Sequence, residues 1–153
     1  MFSQTTEYAL RAMACLALTP DELVSTVELA KQTKVPSNYL AKVLQQLSTA
    51  NLIGGRRGVG GGYKLARPAA KIRLMDVLAA MGAVKRVHTC PLGLPNHGPN
   101  LCPLHRAVDD AAAAAIAVFE GSTLADLLGD GRSSGPLCDA EMTAKLTVST
   151  GKR

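Results

Sequence analysis

Six of the nine residues from 54 to 62 are glycine, with Arg56-Arg57 near the start of the run and Lys64 just beyond it. Glycine at that density interrupts regular structure and marks a turn or a close backbone approach. The flanking pieces, residues 52–53 (Leu-Ile) and 63–65 (Tyr-Lys-Leu), read as two short strands. The stretch therefore predicts a β-hairpin with a glycine-rich tip. Paired arginines offer forked donors for phosphate oxygens or guanine edges, and glycine lets the chain approach a phosphate backbone closely. A glycine-rich loop can also cradle nucleotide phosphates, but no Gly-Lys-Ser/Thr triplet follows and the strand–loop–helix context is absent.

What precedes the hairpin reads as three helices. Residues 5–18 place Tyr8, Met13, Leu16 and their alanine neighbours at helical spacing, and Pro20 ends the segment. Ser25 and Glu28 have the form of a capping box, opening a short helix over residues 26–34. After a turn at Val35-Pro36, Ser37 is expected to cap a third helix, in which Leu40, Val43, Leu44 and Leu47 form an apolar stripe. Two short helices around a tight turn, the second offering polar and basic side chains, match a helix-turn-helix. In that motif the N-terminal end of the second helix meets base edges, which selects Ser37, Asn38 and Tyr39. Lys42, further along, suits a phosphate contact; Tyr39 also fits partial core packing. A further helix is expected over residues 74–81.

The placement of charge agrees. Residues 1–80 hold ten Lys/Arg against five Asp/Glu, whereas residues 81–153 hold seven of each. Between Glu28 and Asp76 there are nine basic residues and no acidic one. A localised basic block suits a polyanion better than a generally basic surface does, although charge alone also fits a solvated face. With aromatics at 3% and no Trp, a stacking surface for single strands is poorly supplied. The start lacks the pattern of a signal peptide, and no apolar run reaches the roughly 20 residues of a membrane span, so a cytoplasmic protein is expected.

Residues 84–102 contain three Pro, two Gly, two His and two Cys and read as a loop. Pro103 then suits the first turn of a long helix that Gly121 closes. Along it Leu104, Val108, Ala111, Ala115 and Val118 recur at steps of four and three, a heptad seam fit for a second helix or for its own domain. A short helix near residue 124 follows, and the tail from 129 has little to bury. Cys90, His97, Cys102 and His105 lie in or beside the loop. Thiolate with imidazole suits zinc or an iron–sulfur cluster, though the spacing matches no standard zinc module. Reduced thiols without metal remain open. Cys15 reads as a core thiol, and His88 as a surface or hydrogen-bonding residue.

Three segments together carry a family resemblance: Glu7-Tyr8-Ala9-Leu10-Arg11, then Ser37-x-Tyr39-Leu40, then Arg57-Gly-x-Gly60-Gly61-Gly62-Tyr63-x-Leu65. Over about residues 1–128 the chain resembles the Rrf2 family of winged-helix regulators. The resemblance implies a homodimer on a near-palindromic double-stranded DNA operator, with the long helix at the dimer interface. In cluster-binding members three loop cysteines hold an iron–sulfur cluster, joined by a histidine or by a carboxylate near the N-terminus. Cys90 and Cys102 match the outer two cysteines and His105 the histidine, but the place of the middle cysteine falls near Asn96, beside His97, and no cysteine stands there, a departure from the family's pattern. A [2Fe–2S] cluster would then take Cys90, Cys102 and two of Glu7, His97 and His105, with Glu7 reaching across the dimer.

The expected architecture is mostly α: a winged helix-turn-helix over residues 1–82 with a small β-hairpin wing, a sensor loop over 83–102, a long dimerisation helix and a short helix over 103–128, and a flexible tail over 129–153. The expected function is a DNA-binding transcription regulator, not an enzyme, modulated by a [2Fe–2S] cluster or by thiol redox state. The alternatives are a small metal- or redox-dependent enzyme and a zinc-stabilised interaction module, both built on the Cys/His loop. No His–carboxylate pair or nucleotide motif supports the enzyme.

Overall fold

Ser3 opens the first helix, α1 (Gln4–Leu18), its Oγ accepting the Thr6 amide at 3.2 Å. The computed structural model describes residues 3–93 and 100–129. Ala9, Ala12, Met13 and Leu16 on α1 are fully buried, and the helix touches the four helices Thr26–Thr33, Ser37–Thr49, Leu74–Ala80 and Leu124–Leu128 and the strand Gly62–Leu65. Its alanines let several elements approach one axis, while Met13 and Leu16 fill the space between them.

The helix-turn-helix is α2 (Thr26–Thr33) and α3 (Ser37–Thr49), joined through Lys34, which takes a left-handed conformation (φ +58°). The expected capping box of α2 is half formed. Ser25 Oγ accepts the Glu28 amide at 3.2 Å, but the Glu28 carboxylate accepts Gln32 Nε2 at 2.8 Å, one turn further on. The start of α3 also differs from expectation: Pro36, not Ser37, occupies the cap position. Its carbonyl accepts both the Tyr39 and the Leu40 amides at 3.0 Å. Proline pre-sets the required dihedral, so no side-chain cap is needed and Ser37 becomes the first helical residue. Leu40, Val43, Leu44 and Leu47 form the buried stripe as their spacing requires. Burying each such side chain stabilises the fold by about 1.5–3 kcal/mol.

The hairpin is β1 (Ile53–Arg56) and β2 (Gly62–Leu65), antiparallel with Ile53 opposite Leu65 and Arg56 opposite Gly62. Its first strand lies later than the sequence suggests, with Leu52 buried ahead of β1 and Arg56 a strand residue, and its second begins one residue earlier, at Gly62. The Val24 and Tyr63 backbones exchange two hydrogen bonds of 2.9 Å, tying the hairpin to the residue preceding the α2 cap.

A 3₁₀ turn (Ala69–Lys71) leads to α4 (Leu74–Ala80), then α5 (Pro103–Glu120) and α6 (Leu124–Leu128). The chain after α5 returns to the winged helix. Leu74 N–H donates to Ser122 O (2.9 Å), Leu124 N–H donates to Ile72 O (2.7 Å), and Leu124 is fully buried in the same core as Met13 and Leu40. On α5 only Asp109 is buried, while Leu104, Val108 and Val118 are 68%, 47% and 66% exposed. Among the described residues no helix is long and apolar enough to cross a membrane. Of the expected tail over residues 129–153, residues 130–153, with Cys138, lie outside the described residues.

Candidate nucleic-acid interface and cysteine–histidine site

Because α3 turns its apolar stripe into the core, its other face is left outside. Ser37, Asn38, Tyr39 and Lys42 are all exposed, with Tyr39 at 56% rather than packed inside. Asn38 Oδ1 accepts the Tyr39 amide at 3.0 Å. Arg56, Arg57 and Lys64 are likewise exposed on the hairpin. An open groove of about 510 Å³ separates the hairpin from the start of α2, with Ser25, Thr26, Arg56, Arg57 and Tyr63 among its lining.

The hairpin tip is shaped by its own backbone and by one arginine. Arg56 Nη2 donates to the Gly60 carbonyl at 3.2 Å, so this guanidinium is bound back onto the tip. Gly60 sits at φ +69°, a region that favours glycine. At Gly61 a Cβ would stand 2.2 Å from the Arg56 carbonyl oxygen, so the two arms pass too closely for any side chain. Not every basic residue of the block is outward. Arg67 donates to the Asp76 carboxylate (3.0 Å) and to the Lys71 carbonyl (3.1 Å).

The second site stands at the start of α5. Cys102 is its N-cap residue and His105 lies in its first turn. His105 Nδ1 is 3.2 Å from Cys102 Sγ and 3.8 Å from Cys90 Sγ, so both sulfurs meet one ring nitrogen. The fit to a metal is incomplete: no three His, Cys, Asp or Glu side chains among the described residues close into a metal-coordinating set. His97 lies outside the described residues. Glu7, on α1, pairs with Arg11 one turn away. Arg11 also donates to the Thr33 carbonyl at 3.3 Å, at the end of α2. Cys15 is buried and His88 exposed, both as expected.

A feature missing from the sequence reading lies beside this site. Asp109 accepts Arg86 Nε at 2.6 Å and Arg86 Nη2 at 2.7 Å, and its Oδ1 also takes the Val87 amide at 2.9 Å. The Arg86 hydrogen bonds, and then the Val87 amide, hold the Asp109 carboxyl down to about 2 against the opposing effect of burial. Its signal in the sequence is slight: an acid four residues after His105, hence on the same side of α5.

Residues 2–130 match the family model described as Rrf2, iron-dependent transcriptional regulator. The chain belongs to the Rrf2 family. It is 34% identical over 131 residues to an HTH-type transcriptional regulator of Aquifex aeolicus, covering 84% of this chain and 91% of that one. An HTH-type transcriptional regulator of Mycobacterium tuberculosis is 39% identical over 132 residues, covering 83% and 80%. Two solved structures share the fold at 23% identity. IscR of T. potens has a TM-score of 0.69 over 88% of this chain and 93% of that one, and CymR, the global cysteine regulator of B. subtilis, has 0.66 over 83% and 95%. The chain is thus a DNA-binding transcriptional regulator with a winged-helix fold, and its relatives are regulators rather than enzymes.

Proposed function

We propose that the protein binds a near-palindromic operator as a homodimer, and that the Cys90–His105–Cys102 site sets its affinity. Ser37, Asn38 and Tyr39 at the start of α3 enter the major groove, Lys42 further along the helix meets a phosphate, and Arg56, Arg57 and Lys64 of the wing engage the flanking backbone or groove. The observation that carries this reading is the exposed polar start of α3, backed by the buried stripe that fixes its orientation. The exposed Leu104, Val108 and Val118 of α5 supply the apolar surface for a second copy.

The regulatory part rests on two sulfurs converging on one imidazole at the start of that helix. Such a set suits reversible thiol oxidation. It also supplies three of the four protein ligands of a [2Fe–2S] cluster, the fourth coming from His97 or from Glu7 of the second copy. When bound, such a cluster supplies one-electron redox chemistry. Zinc is the less favoured occupant, because the described donors do not close around a single ion.

The test uses an operator selected from random duplex DNA by the full chain. Anisotropy titrations compare the natural protein with the Cys90→Ala/Cys102→Ala double variant, oxidised and reduced, without oxygen. Natural protein whose affinity changes with redox state, beside a variant whose affinity does not, supports the switch; equal affinities throughout remove it. Iron, sulfide and zinc analysis of anaerobically purified protein decides between cluster and bare thiols.

A further inference from the structure

Cys90 has no helix or strand to hold it: residues 83–90 leave α4 without forming a regular element, and none of residues 84–90 is buried. Yet its sulfur stands 3.8 Å from an imidazole on α5. Something must dock this segment.

The contacts run along one side of α5. Asp109 and His105 are one turn apart on the helix, and Asp109 takes Arg86 and Val87 while His105 meets Cys90. Residues 86–90 therefore lie along α5, fixed at one end by Asp109 and ending at His105. The fixed end is strong: two charge-assisted hydrogen bonds in a forked pair, plus a main-chain donor on the same carboxylate. A main-chain donor holds the backbone itself, which a pair of side chains alone would not. Asp109 is 8% exposed, so little water competes for it.

We infer that the Arg86–Asp109–Val87 latch docks the cysteine-bearing segment on α5 and so sets the distance of Cys90 from His105 and Cys102. Arg86 and Asp109 are positioning residues: they act through Cys90. The inference rests on the reading that Cys90, Cys102 and His105 form the regulatory site, and it explains how a change at Cys90 reaches α5. Losing the approach of Cys90 to His105 removes one tether on the segment, while the latch is another. Cys102, as the N-cap residue of α5, is carried by the helix itself and does not depend on the latch.

The test is alkylation of the reduced, metal-free full chain by iodoacetamide, read at each cysteine by peptide mass spectrometry, in the natural protein and in Asp109→Asn and Arg86→Met. With the latch opened, Cys90 is expected to react about tenfold faster, in line with the loss of a charge-assisted contact. Cys102 should stay within about twofold, because its helix remains. Cys15, 1% exposed in the core, should stay unreactive. A gain at Cys15 as well would mean general unfolding and would overturn the latch as a local device. An unchanged Cys90 rate in both variants overturns it outright. Failure of the regulatory reading shows elsewhere: operator affinity insensitive to Cys90→Ala leaves the alkylation result standing but removes its functional consequence.

Discussion

Arg56 and Arg57 are neighbours in sequence with different circumstances. The pair is legible in the sequence as a source of forked donors, but the hydrogen bond from Arg56 to Gly60 is not, because it depends on where the tip turns. The same holds among the glycines, which look alike in the sequence. At Gly54 a Cβ would meet nothing within 4 Å, whereas at Gly61 it would meet the Arg56 carbonyl at 2.2 Å. Gly61→Ala must push the two arms apart, at a local cost of about 1–3 kcal/mol. It is expected to lower DNA affinity about tenfold or more while the thermal transition of the core stays cooperative. Gly54→Ala should leave affinity within about twofold. Equal affinities for the two variants would mean that the wing's shape does not matter for binding. Asp109 gives a pH prediction with a definite sign. Its folded value of about 2 lies below the ordinary carboxylate value of about 3.9. Its ionised form is therefore favoured by folding, and the stabilisation is complete above about pH 5 and lost as pH falls toward 2. Denaturant titrations of the natural protein and Asp109→Asn should differ by a constant gap from pH 7 to 5 that narrows as pH falls and closes only below about pH 2. A gap that persists at the acid end would mean that the carboxylate's charge is not what stabilises.

At the scale of elements, apolar periodicity located α1, α3 and α5 because each has a repeated side to bury or to share. Their ends were less legible. Pro36 caps α3 through its carbonyl, and Glu28 turns to Gln32, since the same side chain has two acceptable partners and only the packed structure selects one. The docking of residues 86–90 on α5 left almost no trace in the sequence: Arg86 and Asp109 are 23 residues apart and look like ordinary surface charges. The seam of α5 was legible, and three of its residues, Leu104, Val108 and Val118, stand exposed in the isolated chain. Val108 is the middle one of these three. Val108→Asp puts a carboxylate into what is proposed to be an apolar contact with its own symmetry mate, so each dimer would bury two like charges. Sedimentation equilibrium should show the dimer dissociation constant raised by about 100-fold or more. The core of α1, α3 and α6 does not include Val108, so the melting of the winged helix should change little at fixed oligomeric state. An unchanged dimer in this variant would place the contact on another face of the molecule.

For the whole molecule, the count of nine basic residues between Glu28 and Asp76 overstates the surface available to DNA. The sequence shows that the block has no acid within it, but not that Asp76, the acid at its end, folds back to take Arg67. Arg67 is also bound to the Lys71 carbonyl, so its guanidinium is committed within the protein. Lys42, by contrast, is exposed on α3 on the face opposite the buried stripe. The two residues add the same formal charge, and a purely global field would make them equivalent. Contact with phosphate would not. Each phosphate neutralised by a cation releases counterions and adds about 0.9 to the slope of log affinity against log salt. In a dimer, Lys42→Ala is therefore expected to reduce that slope by about 1.8, one contact being lost per protomer. Arg67→Ala is expected to leave the slope within about 0.3, and to act instead on stability through the half-buried Asp76 pair, which is worth about 1 kcal/mol. Anisotropy titrations on one operator at four or five salt concentrations measure both slopes. Equal reductions for the two variants would mean that net charge, rather than the faces of α3 and the wing, sets the affinity for DNA.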